Sequence, residues 1–473
     1  MWPDDLLSAI RAGHDPNRPI VVLDDDPTGT QTVADVPVLT SWTIDVLADE
    51  LRRSPVFFVL TNSRSLSAPD AVELAIEIGR NLAAAADETG TRPSVISRSD
   101  STLRGHFPAE VDALIEAMGG DVDVPWSTVL VPFFAAGGRV TVGDVHYVAE
   151  PDPSPQDATR SRLVPVAETE FARDVSFGFV NSNLRDWIEE KTAGRIPARD
   201  VVGIGLDLIR NGGPDAVHRL LVESGPGATL VVNALDDRDL EVVVMAMLAA
   251  EADGHRFIQR TAASFVQVRS GQPKRPLLSR ADPGWPVPEA GLVEGRSEGQ
   301  PVGGLVVVGS HVERSTRQLA KLADRPDVEV VEMSVDQVEL DPGTEIDRCR
   351  CLVTAIMVRG DSAVLATSRR LRTGETADAS LAVSRRVSSA VCAVVGGLTT
   401  RPAFLIAKGG ITSSDIATRS LGIRRAVVRG QLQPGVPVWE TGDETLFPGL
   451  VYVIYPGNVG TDQGLSDALD ALA

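Results

Sequence analysis

The chain has 473 residues, of which 43% are hydrophobic, 23% charged and 4% aromatic, a composition close to that of ordinary globular proteins. At about 150 residues per domain, this length predicts two or three domains. The composition excludes a disordered chain, a collagen-like chain and a coiled-coil rod. The 45 basic and 65 acidic residues give a net charge of −20, which opposes nucleic acid and anionic membrane as partners. A local cluster of arginines in such a chain would therefore be a candidate site for an anionic ligand.

Several features predict a cytoplasmic protein. No stretch of about 18 uncharged apolar residues occurs, so no membrane span is expected. The first ten residues carry Asp4 and Asp5 and no basic segment, which argues against a signal peptide. The three cysteines, Cys349, Cys351 and Cys392, lack the CxxC spacing and lie in apolar stretches, so we expect reduced thiols in the core.

Short apolar runs rich in β-branched residues alternate with helical patterns along the chain. The runs do not alternate with polar residues, which is typical of strands buried on both faces of a sheet. Helices are predicted at residues 71–86 and 381–395, where apolar residues recur every four positions. This alternation predicts an α/β fold with largely parallel sheets flanked by helices. The predicted strands are residues 19–23, 56–60, 128–131, 202–206, 230–232, 305–308, 351–358, 403–407 and 451–454.

One segment has the composition of a linker or hinge. Residues 271–304 contain six prolines and seven glycines in 34 positions, more than the roughly 25–30% at which a packed element becomes improbable. The segment predicts an N-terminal domain over residues 1–270 and a C-terminal domain over residues 305–473.

Three consecutive aspartates, Asp24, Asp25 and Asp26, follow the first predicted strand. Ligands of parallel sheets bind beyond the carboxyl ends of the strands, so this position is a candidate site. Adjacent carboxylates repel one another and need cations or hydrogen-bond donors nearby. One of the three could deprotonate a substrate hydroxyl or hold Mg²⁺ through water; the alternative is a solvated turn.

A second candidate segment, residues 97–106, combines Arg98, Asp100, Ser101 and Arg104. Arginine binds carboxylate or phosphate through two parallel hydrogen bonds, and the polar side chains between the arginines suit sugar hydroxyls. The alternative is a capped helix start with surface arginines. Weaker candidates of the same chemistry, each more typical of an ordinary turn, are Asn62 with Arg64, and Arg139 after two glycines.

Three glycine-containing loops follow predicted strands in the C-terminal domain. They are the loop at Ser310, residues 408–415 and residues 456–464. Glycines let the backbone approach a ligand, and free N–H groups attract phosphate, so three such loops favour nucleotide binding over ordinary turns. Neither a Walker A motif nor a GxGxxG motif after a strand occurs. The six histidines form no metal-binding pattern, and no metal ligand is assigned.

Several of these motifs, in this order, resemble the four-carbon acid sugar kinase family over nearly the whole chain. The resemblance implies an N-terminal domain that binds an acid sugar, a C-terminal domain that binds ATP, and an active-site cleft between the two. It also implies ATP contacts from Ser310, Gly409, Gly410, Ile411, Thr412 and Gly457. The motifs are residues 24–29, 61–64, 100–105, 138–139, 309–310, 408–413 and 456–458.

The expected function is therefore an ATP-dependent kinase for a hydroxyl of a four-carbon or similar sugar acid, such as threonate, erythronate or 3-oxo-tetronate. Asp25 is the first candidate for the residue that orients or deprotonates the hydroxyl, with Asp24 and Asp26 as alternatives, and Mg²⁺ is expected with ATP. Two alternatives are a nucleotide-dependent oxidoreductase and a non-catalytic sugar-acid-binding regulator. The predicted substrate contacts are Asn62, Arg64, Arg98, Asp100, Ser101, Arg104 and Arg139, with the arginines holding the carboxylate.

Overall fold

A computed structural model of the chain describes residues 2–119, 125–151, 161–279, 282, 285, 302–310, 312–369 and 377–472. The chain forms two compact units: Met1–Val33 with Ser41–Lys274, and Ala34–Thr40 with Arg275–Ala473. Most of the predicted linker, residues 271–304, lies outside the described residues, so its role as a hinge stays a prediction.

The described residues form strands and helices in alternation. The strands are β1 Ile20–Asp24, β2 Val36–Leu39, β3 Val56–Leu60, β4 Ser94–Arg98, β5 Ser127–Val131, β6 Arg139–Val142, β7 Val145–Pro151, β8 Ser161–Pro165, β9 Val202–Ile204, β10 Thr229–Val232, β11 Phe257–Thr261, β12 Leu305–Val308, β13 Val328–Met333, β14 Ser362–Thr367, β15 Leu405–Lys408, β16 Arg425–Gln433, β17 Val436–Thr441 and β18 Val451–Tyr455. The α-helices are α1 Leu7–Ala12, α2 Ile44–Arg53, α3 Ala68–Thr89, α4 Ala109–Ala117, α5 Leu184–Lys191, α6 Gly213–Glu223, α7 Asp237–Ala252, α8 Ala263–Arg269, α9 Glu313–Ala323, α10 Val335–Leu340, α11 Pro342–Arg359, α12 Ala377–Gly396, α13 Gly410–Asp415 and α14 Gly464–Leu472.

The first unit is built on a parallel sheet in the order β3-β1-β4-β11-β5-β10-β9. Every residue of β1, β3 and β4 is buried, as expected for parallel strands covered on both faces. Asp24 pairs in register with Leu60 on one side and Arg98 on the other. The residues that follow these three strands therefore emerge side by side. The antiparallel strands β6, β7 and β8 form a separate small sheet in the same unit.

The second unit has a mixed sheet in the order β13-β14-β12-β15-β18-β17-β16-β2. Its first five strands are parallel, and its last three are joined by antiparallel pairing. Strand β2 comes from the segment Ala34–Thr40, early in the chain, and pairs with β16. The loops after β12, β15 and β18 emerge next to one another because these strands are neighbours.

The predicted α/β fold with largely parallel sheets is confirmed. One predicted strand, residues 351–358, is wrong: these residues belong to helix α11, which begins behind an Asp341 cap and buries Val353 and Met357. A short apolar run inside a helix cannot be told from a buried strand by its period alone. The helical geometry also leaves Cys351 exposed, so the expectation that all three cysteines are buried fails there, whereas Cys349 and Cys392 are buried. No helix in the described part of the chain is long and apolar enough to cross a membrane.

Candidate active site

Asp24 at the end of β1 and Arg98 at the end of β4 form a buried ion pair. Arg98 Nη1 lies 3.0 Å from Asp24 Oδ1 and 3.8 Å from Asp25 Oδ1. All three side chains are less than a tenth exposed. Burying charged groups is costly unless they are paired. The pairing of Arg98 with the two aspartates therefore offsets the cost of burying all three side chains at the end of these strands.

The carboxyl group of Asp24 faces protein rather than open space. Burial raises the pKa of Asp24 to about 7, helped by the charges of Asp25 and Asp26 and opposed by Arg98. A β-carbon on Gly29 would lie 2.0 Å from Asp24 Oδ2 and 2.1 Å from Oδ1. The backbone of Gly29 therefore covers both oxygens, and Asp24 serves to position its neighbours more readily than to contact a ligand.

Asp25 has unused capacity to accept a hydrogen bond. Its Oδ2 accepts a bond of 3.1 Å from Ser99 Oγ. Its Oδ1 lies 3.7 Å from Arg64 Nη1 and 3.8 Å from Arg98 Nη1, yet has no hydrogen-bond partner in the described structure. A buried carboxylate oxygen of this kind is a suitable acceptor for a hydroxyl proton.

Both carboxylate oxygens of Asp26 interact with other protein groups. Arg64 forms an ion pair with its Oδ2, and the backbone N–H of Thr28 donates to its Oδ1 at 2.8 Å. Burial acts to raise the pKa of Asp26, but Arg64 and Thr28 outweigh it and hold that pKa below its usual value. Arg64 Nη1 also lies 3.7 Å from Asp100 Oδ1. Burial acts to lower the pKa of Arg64, but the three aspartates outweigh it and raise that pKa.

The segment after β4 supplies a third carboxylate–arginine pair. Arg104 Nε donates to Asp100 Oδ2 at 2.7 Å, and Thr102 donates to the same oxygen. Although burial acts to raise the pKa of Asp100, Arg64 and Arg104 keep it well below its usual range. The backbone oxygen of Ser101 lies 2.8 Å from His146 Nε2.

The other predicted substrate contacts of the first unit lie close by. Asn62 has a left-handed backbone, φ 51°, and its N–H donates to the backbone oxygen of Asp24 at 3.3 Å. Arg139, at the start of β6, is half-buried and is an electrostatic neighbour of Asp100 and Arg104. All the predicted residues of this domain thus belong to one neighbourhood.

Two residues that were not among the predicted substrate contacts also support this site. Arg260 in β11 is buried, donates to Ser97 Oγ at 2.9 Å and lies 3.5 Å from Glu110 Oε2. A β-carbon on Gly105 would lie 2.6 Å from Arg260 Nη2, so the site needs glycine there. The sequence signal for Arg260 is a charged residue within a strand that is buried along its whole length.

His146 is the second of these residues. It is fully buried between Ser101 O, at 2.8 Å, and Thr141 Oγ1, at 2.9 Å. Burial lowers the pKa of His146 to about 4, so the ring is neutral near pH 7 and can donate to one partner while accepting from the other. It ties the small antiparallel sheet to the segment that carries Asp100.

In the second unit, the three predicted loops meet at the carboxyl ends of β12, β15 and β18. Ser315 Oγ lies within hydrogen-bond distance of Ser310 Oγ and of the backbone oxygen of Gly457, at 3.1 Å from each. Gly409 has a φ of 114°, which favours glycine, and a β-carbon on Gly309 would lie 2.2 Å from Thr412 Oγ1. The loops therefore approach one another so closely that side chains at Gly309 or Gly409 would not be accommodated without strain.

A cavity of about 320 Å³ adjoins these loops. Its wall contains both polar and apolar groups, which come from the loop after β15 and from one side of α12. Ile411, in its wall, is 64% exposed. The cavity is lined by Gly309, Ser310, Val335, Thr367, Val383, Ser384, Val387, Ser388, Val391, Cys392, Gly409, Gly410, Ile411, Thr412, Asp415 and Ile416. Five of the six predicted nucleotide contacts line it, and Gly457 lies next to Ser310.

Lys408 holds the loop after β18 in place through hydrogen bonds. It was not among the predicted nucleotide contacts. Its side chain is fully buried, and Nζ donates to the backbone oxygens of Pro456, at 2.6 Å, and Gly457, at 3.2 Å. It also lies 4.2 Å from the centre of the Tyr455 ring. Burial, with a smaller effect of Arg314, lowers the pKa of Lys408 to about 7.

The described residues offer no ready-made metal site. No group of three or more His, Cys, Asp or Glu side chains within them is arranged to hold a metal ion. In the aspartate cluster the reason is visible, because Arg64 and Arg98 already occupy the space between the carboxylates.

Comparison with known proteins agrees with the two-part architecture. Residues 20–269 match a family model described as a sugar-binding N-terminal domain, and residues 305–465 match one described as a nucleotide-binding C-terminal domain. The chain is thus a two-domain α/β protein whose two parts match these two domain models in order. It belongs to the four-carbon acid sugar kinase family.

Named relatives cover part or nearly all of the chain. A D-threonate kinase of Salmonella typhimurium is 26% identical over 470 residues, which is 95% of this chain and 97% of that protein. A D-threonate kinase of Bordetella bronchiseptica is 31% identical over 237 residues, 48% of this chain and 49% of that protein. A D-erythronate kinase of Heliobacterium modesticaldum is 28% identical over 158 residues, 32% of this chain and 34% of that protein.

Two solved structures share the fold. The Haemophilus influenzae protein HI1011 aligns with a TM-score of 0.61 and 16% identity, over 96% of this chain and all of that one. A Salmonella typhimurium LT2 protein, described provisionally as a tRNA synthase, aligns with a TM-score of 0.66 and 16% identity, over 96% of this chain and 99% of that one. At this identity the likeness concerns the fold alone.

Proposed function

We propose that this protein is an ATP-dependent kinase that phosphorylates a hydroxyl group of a four-carbon or similar sugar acid. The observation that carries the proposal is the environment of Asp25. Its buried Oδ1 has no hydrogen-bond partner among the described residues and lies between the guanidinium groups of Arg64 and Arg98. A hydroxyl bound there would meet an acceptor for its proton next to positive charge.

The role of Asp25 follows from the demands of phosphoryl transfer. The transition state is loose, so most of the catalysis comes from positioning the reactants and offsetting charge. Asp25 would orient the attacking hydroxyl and accept its proton as the hydroxyl oxygen bonds to the γ-phosphorus of ATP, while the bond from that phosphorus to the bridging oxygen breaks and ADP leaves. Ser99, bonded to the other oxygen of the same carboxylate, would keep the group in place.

The arginines beside this cluster suit an anionic substrate. Arg98 and Arg64 are engaged mainly with Asp24 and Asp26, which makes them supports for the aspartates. Arg104 and Arg139 lie at the edge of the cluster and retain donors for a carboxylate. The four-carbon acids named for the relatives, threonate and erythronate, carry a carboxylate and several hydroxyls, and this is the substrate class we propose.

The second unit would bind ATP. The cavity of about 320 Å³ is flanked by Ser310 and the Gly409–Thr412 segment, where glycine backbone can approach phosphate. Its apolar wall along α12 suits a nucleotide base. Mg²⁺ bound with ATP would offset the charge of the phosphates, and we assign it no protein ligand because the described residues form no metal site.

Two other functions make different predictions. An oxidoreductase of this architecture would bind NAD(P), and a regulator without catalysis would bind a sugar acid but release no ADP. Differential scanning fluorimetry separates the first from a kinase. We expect ATP with Mg²⁺ to raise the melting temperature, and stabilisation by NAD(P) alone would favour the oxidoreductase.

A coupled assay of ADP release tests the kinase directly. The panel contains D- and L-threonate, D- and L-erythronate, 3-oxo-tetronates and five-carbon aldonates, each with ATP and Mg²⁺. We expect ADP release that depends on at least one four-carbon acid and disappears in Asp25→Asn. Sugar-acid binding without ADP release from any member of the panel would favour the regulator.

A further inference from the structure

Phe171 makes an aromatic contact with two arginines at once. It lies in a short 3₁₀ turn, Glu170–Arg173, beyond the small antiparallel sheet. The guanidinium carbon of Arg104 is 5.1 Å from the centre of the Phe171 ring, and that of Arg139 is 5.9 Å from it. Both distances are within the roughly 6 Å at which a cation is attracted by the face of an aromatic ring.

The two arginines differ in how their charges are balanced. Arg104 donates to Asp100 at 2.7 Å and has Asp174 at 3.8 Å. Arg139 donates to the backbone oxygen of Gly137, but among the described residues no carboxylate lies within 4.0 Å of it. Its Nε is buried and has no hydrogen-bond partner there. Among the described residues, Arg139 therefore has a positive charge without a carboxylate in contact and an Nε–H without an acceptor.

Two neighbouring guanidinium groups repel each other unless something holds them together. Burial lowers the pKa of Arg139, Asp100 opposes this, and the charge of Arg104 adds to the lowering. The face of an aromatic ring carries partial negative charge, so a shared ring offsets part of the repulsion without neutralising either cation. A carboxylate at this position would have two guanidinium groups available for bidentate hydrogen bonds.

We infer that Phe171 is a specificity-determining residue: its ring holds Arg104 and Arg139 together as the subsite for the carboxylate of the sugar acid. The inference rests on the proposed function for the identity of the ligand. It assigns the recognition of the acid group to this trio, and it leaves Arg64 and Arg98 as supports of the aspartates. Selection of an acid over the corresponding neutral polyol would then depend on an aromatic residue at position 171.

The test measures binding, so that it does not depend on turnover. Isothermal titration calorimetry compares D-threonate and D-erythronate with the neutral polyols threitol and erythritol, for wild type and Phe171→Leu. We expect wild type to prefer the acids, and Phe171→Leu to weaken acid binding by about tenfold, with a smaller effect on any binding of the polyols. Phe171→Tyr, which keeps the ring, should bind the acids within about threefold of wild type.

A matched control is available in the same domain. Lys191 Nζ lies 5.8 Å from the centre of the Phe179 ring, so Phe179→Leu also removes a cation–aromatic contact, but one without Arg104 or Arg139. It should leave acid affinity unchanged even where it lowers the melting temperature. In Arg139→Gln, the additional loss on introducing Phe171→Leu should be clearly less than tenfold, because the two residues act together.

The outcomes separate this inference from the proposed function. Acid affinity within twofold of wild type in a folded Phe171→Leu protein would overturn the role of Phe171. Equal affinity of the wild type for the acids and the neutral polyols would overturn it as well. Carboxylate-dependent binding that needs Phe171, but without phosphorylation of any acid, would uphold the inference and contradict the kinase. Full additivity of Arg139→Gln and Phe171→Leu would contradict a shared subsite.

Discussion

Arg98 Nη1 lies 3.0 Å from Asp24 Oδ1, and the two residues are register partners on adjacent parallel strands. The pair is buried, so its charge state is coupled to folding. Burial raises the pKa of Asp24 to about 7, above the value of about 3.9 expected in the unfolded chain. Between these two values the folded protein holds a proton on Asp24 that the unfolded chain has released.

Stability should therefore contain a contribution from Asp24 that falls as the pH rises from about 4 to about 7, because the folded state binds the extra proton. Asp24→Asn cannot titrate. We expect the free energy of unfolding of wild type, minus that of Asp24→Asn, to be larger at pH 5 than at pH 8. Urea unfolding of both proteins across this range measures it, and a difference that is constant or rises with pH would contradict the assignment.

Asp25→Asn should reduce kcat by at least about a hundredfold, because general-base catalysis contributes roughly 10² to 10⁴. The amide keeps the size of the side chain, so KM for ATP should change little. Steady-state kinetics with the best sugar acid provides the measurement. If kcat stays near the wild-type value, the proton acceptor is elsewhere, and Asp24 and Asp26 are the next variants to measure.

Arg104→Ala should raise KM for the sugar acid strongly. A hydrogen bond to a charged group contributes about 1.5–3 kcal/mol, which corresponds to a change of roughly tenfold to a hundredfold. Arg104 also holds Asp100 at 2.7 Å, so Arg104→Lys is the control that retains a positive charge. Values of KM and kcat that both stay within twofold in the alanine variant would remove Arg104 from the substrate contacts.

The glycine loops of the second unit give a prediction with a built-in control. Gly409→Ala should weaken nucleotide binding by about tenfold or more, because its φ is 114° and its new β-carbon would lie 3.2 Å from Ser310 Cβ. Gly422 also has a positive φ, 65°, but open space around it. Gly422→Ala should therefore cost only stability, about 1–2 kcal/mol, and leave ATP affinity unchanged.

Calorimetry with ATP and with the sugar acid separates the possibilities for these two variants. The sugar acid should bind normally to both. Gly410→Val is expected to behave as Gly409→Ala does. If the three variants and the wild type bind ATP with equal affinity, the loop of residues 408–415 is only a structural turn. If a variant loses sugar-acid binding but keeps ATP binding, the assignment of the two domains is reversed.

Lys408→Met should also weaken nucleotide binding, through the position of the neighbouring loop. The change removes the two hydrogen bonds from Nζ to Pro456 O and Gly457 O, and unpaired buried carbonyl groups cost about 1–3 kcal/mol each. We expect a higher KM for ATP with a smaller effect on kcat, and partial recovery in Lys408→Arg. A lower melting temperature with an unchanged KM for ATP would limit Lys408 to a structural role.

The sequence predicted the parallel core well because its strands carry a local signal. The runs 56–60 and 305–308 coincide with β3 and β12, since a strand buried on both faces must be continuously apolar. The same rule misassigned residues 351–358, where an apolar stretch belongs to a helix. Strand β2 was not predicted, because its partner, β16, lies almost 400 residues away and four apolar residues alone do not reveal a distant partner.

The residue types of the candidate site were predictable, but their division of labour was not. Three aspartates and several arginines at strand ends indicated a charged cluster. Asp24 Oδ2 and Asp25 Oδ1 both lack a hydrogen-bond partner in the described structure. Only the three-dimensional structure shows that the backbone of Gly29 covers the oxygens of Asp24. The supporting residues Arg260 and Lys408 depend on contacts with distant residues, 163 positions away for Ser97 and 48 for Pro456, which no local motif encodes.

The most direct test of the kinase assignment is ³¹P NMR of the reaction of the full-length protein with ATP, Mg²⁺ and a four-carbon sugar acid. We predict a new phosphate-ester resonance that grows in step with ADP, requires the sugar acid, and is lost in Asp25→Asn. Formation of inorganic phosphate without an ester, or no consumption of ATP with any acid of the panel by the folded protein, would contradict it.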